Sequence, residues 1–400
     1  MHRDYLKDSV FLQVSFFFGL VAVFIGDVQL PQTVPLSILI SLVFLIRAFN
    51  VRVTLPFVLL LAVLLPGMLN LIMAGHFDIK RDFVTYLPIC YGLFVLLFVG
   101  GFSYNKRLNY ALVAGVLILC LLILYSFLAT PGDAAEYYQF KLNAETPLGR
   151  SNYLAVFIGF SLLVSTFWLG WTSLILLPAF LLTMSRTGII LMLIFLLFRF
   201  IVARQYLLKT ACISIIIFGL FYYYWDQIYY YLDPVLEGSL STDSLNIRLR
   251  AWVETLNIIQ VNPLFGVPRS FYKDALEAAV PGENLWDPHN SILHLLVSFG
   301  IVGFIFYASY IFVIFRELYR ASLSDRFWKG VYWGYSLILV WSLFEPILLT
   351  PGIEILQAYL FVLARKYSVY RRFKSLAYSR RVPIAMDYAN RCRQNRSFSF

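Results

Sequence analysis

The chain has 400 residues, of which 60% are hydrophobic and 14% charged, and a mean hydropathy of +0.75; soluble domains carry roughly a quarter charged residues, so a soluble fold could not hide this much apolar surface. The formal net charge of +10 gathers mainly between Arg365 and Arg396, where a basic stretch beside a membrane span meets anionic lipid, so it is not read as a nucleic-acid footprint. Cys90, Cys120 and Cys212 fall in apolar runs and Cys392 in the basic tail, which indicates neither a disulfide framework nor a Cys-based zinc site.

Apolar runs of roughly 17 to 25 residues recur from end to end, and only helices satisfy their own backbone inside lipid. The expected fold is therefore all-α, a polytopic membrane helical bundle. About twelve transmembrane helices are expected, near 10–26, 29–46, 54–74, 84–101, 109–130, 153–169, 171–184, 187–203, 208–225, 291–315, 328–349 and 352–369. The first follows Arg3 and Lys7 but lacks a small-residue cleavage site, and reads as a retained anchor. The seventh and eighth abut at Ser185-Arg186-Thr187-Gly188. Between the ninth and tenth lies a large loop, 226–290, and after the twelfth a basic tail, 370–400. Within the loop, Leu245, Leu249, Trp252, Leu256 and Ile259 recur at helical spacing, and Asn262-Pro263 stops the helix. With no internal repeat at the period of a solenoid, residues 1–400 form one membrane domain.

Basic residues orient the bundle, because cytoplasmic loops are enriched in Lys and Arg. With the N-terminus inside, the outer segments hold only Lys80, Arg81, Lys141, Arg150, Arg186, Arg248, Arg250, Arg269 and Lys273 of 32 basic residues. Both termini are then cytoplasmic, and the large loop is outside.

Candidate chemistry collects on that outer side. Asp287-Pro288-His289-Asn290-Ser291 closes the loop and opens the tenth helix. A histidine at a helix start feels the positive end of the dipole, which favours a neutral, base-competent imidazole. At about 100° per residue, Gly300 returns to nearly the same helix face as His289, while His294 is turned about 140° away and reads as a packing or hydrogen-bonding group. Arg186, flanked by Ser185, Thr187 and Gly188 at the opening of a helix, forms a natural anion site. Arg248 lies beside Trp252 near the apolar face of the loop helix, where a charge needs an anionic partner. Arg150 stands on the shorter outer loop beside Asn152. Glu345, expected near the outer end of the eleventh helix, is costly in lipid and so a candidate for function.

Together these features resemble the O-antigen ligase and polymerase superfamily. The resemblance rests on Ser185-Arg186-Thr187-Gly188 after an apolar helix, on Arg248 to Trp252 followed by Asn262-Pro263-Leu264-Phe265-Gly266, and on Pro288-His289-Asn290-Ser291-Ile292-Leu293 through Gly300. It implies that Arg186 and Arg248, with Arg150 as a further candidate, hold a lipid-linked diphosphate, and that His289 activates an acceptor hydroxyl. The implied activity is polymerisation of undecaprenyl-diphosphate-linked repeat units at the periplasmic face of the bacterial inner membrane. The alternative is a ligase that moves finished glycan to lipid A-core. Tyr153 after Gly149-Arg150-Ser151-Asn152 resembles the polymerases, while Ile190 departs from the Leu that ligases often carry four residues after the first arginine. A third reading, a lipid-linked oligosaccharide transporter, would bring internal repeats and broken midplane helices, and neither is evident in the sequence.

A sugar chain on a diphosphate carries its own leaving group, so two arginines and one histidine supply what transfer needs: charge neutralisation and deprotonation of the attacking hydroxyl. The outer segments contain no Asp-x-Asp pair, so metal-independent, inverting transfer without a cofactor is expected. The expected partners are the lipid-linked glycan donor, a glycan or lipid A-core acceptor, membrane lipid and other polysaccharide-assembly membrane proteins.

Overall fold

A computed structural model describes residues 2–25, 34–47, 53–74, 78–97, 103–129, 151–183, 185–202, 242–279 and 287–396. The expected span 208–225 and Arg150 lie outside the described residues. All described secondary-structure elements are helical: α1 (His2–Ile25), α2 (Leu36–Arg47), α3 (Leu55–Ala74), α4 (Ile79–Leu96), α5 (Ala111–Ala129), α6 (Ser151–Trp168), α7 (Ser173–Leu182), α8 (Arg186–Val202), α9 (Thr242–Val261), α10 (Arg269–Ala279), α11 (Ser291–Ser322), α12 (Arg326–Trp341) and α13 (Pro351–Arg396).

Among the described residues, three segments, Leu55–Met73, Lys106–Tyr125 and Ser291–Ser322, are long and apolar enough to cross a membrane, and Val10–Ile25, Asn152–Trp168, Gly170–Leu182 and Thr187–Leu197 are shorter apolar helices. Their outward faces are greasy. Along α3, Leu61, Leu65, Met68 and Ile72 are all exposed, spaced as one helical stripe on an otherwise apolar helix, as a lipid-facing side requires. The chain is a membrane protein on these grounds.

The bundle core is built by α12 against α6, α11 against α3, α13 against α4, and α1 against α2 and α5. Because lipid tails are as apolar as leucine, close backbone approach rather than hydrophobic burial holds such helices together. Gly330 and Gly334 provide it on α12: a Cβ there would stand 2.8 Å from Val164 Cα and 2.8 Å from Phe160 O on α6.

Three of the differences from expectation have a local reason. α4 begins at Ile79 rather than near 84, because Asp78 caps it: its Oδ1 accepts from Arg81 N at 3.2 Å, satisfying a first-turn donor. The helix expected over 328–349 ends at Trp341. Its apolar run continues, but Pro346 has no amide hydrogen to extend a helix, and Leu349 adopts a φ of 62°; Glu345 therefore sits in a turn that crosses the start of α11. α11 itself is broken at Gly300, with φ 62° and ψ −173°, a conformation open essentially to glycine alone.

The break is sealed by protein. The segment after α9 packs on it, with Ile301 N donating to Pro263 O (2.8 Å), Val302 N to Leu264 O (3.2 Å) and Val267 N to Val297 O (2.7 Å). Asn262-Pro263-Leu264-Phe265-Gly266 thus does more than end the loop helix: it completes the hydrogen bonding of a broken one, and it locks the loop onto α11. His289 lies before α11 with a φ of 49°, and Asn290 is extended, so the helical phase expected to bring Gly300 back to the face of His289 does not run from that residue. Gly300→Ala would need the φ of 62° at residue 300 and would set its Cβ into the Leu264 carbonyl. It is expected to destabilise the fold by about 2 kcal/mol or more, read as a lower melting temperature of the purified protein; an unchanged melting temperature would contradict the break.

Candidate functional site

The polar residues meet at one end of the bundle, where the starts of α6, α8 and α11, the middle of α9 and the turn after α12 converge. Asn290 caps α11: its Oδ1 accepts from Ile292 N (2.9 Å) and Leu293 N (3.1 Å) while its Nδ2 donates to Leu343 O (2.8 Å). Ser291 donates its hydroxyl to Glu345 O (2.9 Å) and accepts from Leu348 N (3.1 Å). These bonds stitch the turn that carries Glu345 to the helix start that follows His289. The hydroxyl and amide side chains do here what they do at any exposed N-cap, but the carbonyls they bind belong to a segment some fifty residues away.

Glu345 is the hub. Its side chain is 7% exposed, and its Oε1 accepts from Arg248 Nη2 (2.9 Å) and Asn152 Nδ2 (2.9 Å). Burial alone would raise its pKa. The His289 imidazole and the Arg248 guanidinium more than offset that and hold the carboxyl below its ordinary value. Asn152 is itself oriented by Ser185, whose hydroxyl donates to Asn152 Oδ1 (2.8 Å) and accepts from Gly188 N (3.3 Å). The turn that opens α8 is thereby tied to the hub.

Arg248 finds the anionic partner its place on α9 demanded, and that partner is Glu345. Its Nη1 also donates to Phe344 O (3.1 Å). Two donors of the guanidinium are used in this way, out of five, and the side chain remains 28% exposed. Trp252, one turn along, donates its indole N–H to Pro288 O (2.8 Å), so the same helix fixes both the arginine and the peptide before His289.

His289 lies just before α11 with a φ of 49°, unusual for a side chain of its size. Asp287 holds that conformation by accepting from His289 N at 3.0 Å, the bond that lets an aspartate shape the backbone two residues on. Nδ1 of His289 lies 3.7 Å from Glu345 Oε2 and 3.9 Å from Asp287 Oδ1, and it makes no hydrogen bond among the described residues. The ring is 21% exposed. His294 is buried, edge-on to Tyr272 with ring centroids 6.0 Å apart.

Of the residues the sequence singled out, the structure brings Arg248, Glu345 and His289 into one cluster. Arg186 opens α8 beside Ser185, its side chain outside the described residues. The sequence reading did not nominate Asn152, Ser185 or Asp287, although each flanks a residue it did; short polar side chains beside a candidate carry no signal of their own until a partner from another helix is known.

These geometries define a helical membrane protein with a half-buried Arg–Glu–His cluster at one end. Residues 171–308 match a family model described as O-antigen ligase. The match supports an O-antigen ligase/polymerase-like family, whose members are glycosyltransferase-like enzymes. It spans Arg186, Arg248 and His289, while Asn152 and Glu345 lie outside it. No curated protein matches the chain.

Proposed function

We propose that the protein is a metal-independent, inverting glycosyltransferase that joins undecaprenyl-diphosphate-linked repeat units at the periplasmic face of the inner membrane. The observation that carries the reading is the cluster of Arg248, Glu345 and His289, drawn from three distant segments, with Arg248 at 2.9 Å and His289 at 3.7 Å from the Glu345 carboxylate. Its parts suit the chemistry. His289 takes the proton from the acceptor hydroxyl through Nε2, while Nδ1–H closes on Glu345, a base oriented by a carboxylate. Distances in the unliganded protein are loose, as is common before substrate draws such groups together. Arg186 and the remaining donors of Arg248 neutralise the diphosphate as the anomeric carbon–oxygen bond breaks; Arg150 is a third candidate for that role.

A second reading, transfer of finished glycan to lipid A-core, is favoured by the description of the matching family model. One experiment separates the two. In a strain lacking the protein, lipid A-core bearing a single repeat unit identifies a lost polymerase, and long chains stranded on undecaprenyl diphosphate identify a lost ligase; an unchanged glycan profile would overturn both.

The periplasmic placement rests on the distribution of basic residues. In a background without native cysteines, Asn257→Cys on the exposed side of α9 is expected to react with an impermeant thiol reagent added to intact spheroplasts. Leu323→Cys, beyond the far end of α11, should react only after lysis. The reverse pattern would put the cluster on the cytoplasmic side, away from any completed repeat unit.

A further inference from the structure

The geometry points to the cavity between α4, the start of α10 and the turn after α12 as the acceptor subsite, taking one sugar residue through its hydroxyls; this rests on the transferase reading above. The cavity has a volume of about 290 Å³, and its walls include Tyr91, Tyr153, Arg269, Asp287, His294 and Thr350. That volume is at the small end of ligand pockets, enough for a single sugar ring and too little for a lipid tail or a glycan chain.

Its lining has the mixed character that a sugar ring requires. Tyr91 and Tyr153 bring aromatic side chains to the wall, and Arg269 and Asp287 bring a donor and an acceptor of the kind with which sugar hydroxyls pair. His294 is 8% exposed, and its Nδ1 has no hydrogen-bond partner among the described residues, a costly state for a buried polar atom unless a ligand relieves it. The wall is also rigid. Asp82 of α4 accepts from Ser270 N (2.8 Å) and Ser270 Oγ (3.2 Å), and Arg81 pairs with Asp274 at 3.1 Å; α10 is thus clamped to α4 at the residue following Arg269, so little ordering remains to be done when a ligand enters.

The cavity also abuts the reacting groups. Asp287 belongs to its wall and at the same time holds His289 N at 3.0 Å. Tyr153 does likewise, donating its hydroxyl to Pro346 O at 3.4 Å beside Glu345. A sugar seated here presents a hydroxyl toward His289. A diphosphate fits the same space poorly, because it would face the Asp287 carboxylate, whereas a hydroxyl both donates to the acid and accepts from the base.

The test uses full-length protein in lipid nanodiscs, with the host strain's undecaprenyl-diphosphate-linked repeat unit as donor and a benzyl glycoside of that repeat unit as acceptor. Arg269→Gln and His294→Phe are each expected to raise the acceptor KM about tenfold or more, the worth of a lost hydrogen bond to a buried or charged group. The donor KM should stay within about twofold, since the wall does not meet the diphosphate. Arg269→Lys, the mildest change to the helix start, reads out the same shift if His294→Phe does not assemble. An unchanged acceptor KM, or a rise confined to the donor KM, overturns the assignment, the latter by giving the cavity to the diphosphate. Arg248→Ala and His289→Ala are run beside them. If the unsubstituted protein transfers no glycan to this acceptor, the transferase reading has failed; if it does, and the cavity variants leave the acceptor KM alone while these two lose turnover, only the acceptor subsite has.

Discussion

His289→Ala is expected to lower the rate of glycan transfer by about a hundredfold to ten-thousandfold, the range over which removal of a general base acts, and to leave donor binding in place. The expectation follows from what fixes the ring. Asp287 holds the backbone in a left-handed turn, Trp252 from the loop helix holds the preceding carbonyl, and Glu345 stands 3.7 Å from Nδ1, so that Nε2 is the nitrogen left for the acceptor. A residue merely packed at a helix start would not need three segments to place it. Because the imidazole acts in the transition state, the loss should fall on kcat and kcat/KM alike, and saturating acceptor should not restore it. That separates His289 from His294, whose substitution is expected to act through the acceptor KM. Purified variants with a defined donor make the measurement; near-normal turnover by a correctly folded His289→Ala protein would remove this residue from the mechanism.

Arg248→Ala is expected to cost about a hundredfold or more in transfer, comparable to removing one donor from a preorganised anion site. It takes away more than a diphosphate contact. Glu345 is 5% exposed, and with the guanidinium gone less opposes the burial that raises its pKa. The sign of the pH effect follows. In the native protein the carboxylate lies below its ordinary range, so its charged form and the bonds it supports persist at every pH above that depressed value and are lost only as pH falls through it. In Arg248→Ala the loss of the Glu345 charge, which forms the acidic limb of the cluster's stability profile, should therefore move to higher pH. Arg248→Lys should recover only part of the activity, because it restores the charge but not the planar fork that spans Phe344 O and Glu345. Arg186→Ala is expected to impair transfer without moving that limb. If Arg248→Ala keeps its rate and its pH profile, the diphosphate must be held elsewhere, with Arg150 the next candidate.

Much of the fold was legible because lipid imposes a simple grammar. Apolar runs long enough to cross it must be helices, and the positions of α3, α5, α6 and α8 agree with those runs to within a few residues. Charge bias likewise placed Arg186, Arg248 and His289 on one side of the bundle before any contact was known. Polar residues near span ends are rare enough in such a chain that Glu345 could be singled out from cost alone.

What the sequence determined by itself, then, is the class of protein, the run of its helices and the residue types able to do chemistry, since each follows from composition and local periodicity. Only the tertiary structure decided that Arg248 and Glu345 answer one another, that Asn152 and Ser185 tie the opening of α8 to them, and that α11 breaks at Gly300 on the Pro263–Val267 segment. These bonds join residues up to 193 positions apart, and periodicity has no reach over such a separation. A buried charge announces that it needs a partner, but which partner it finds is a property of how the helices pack.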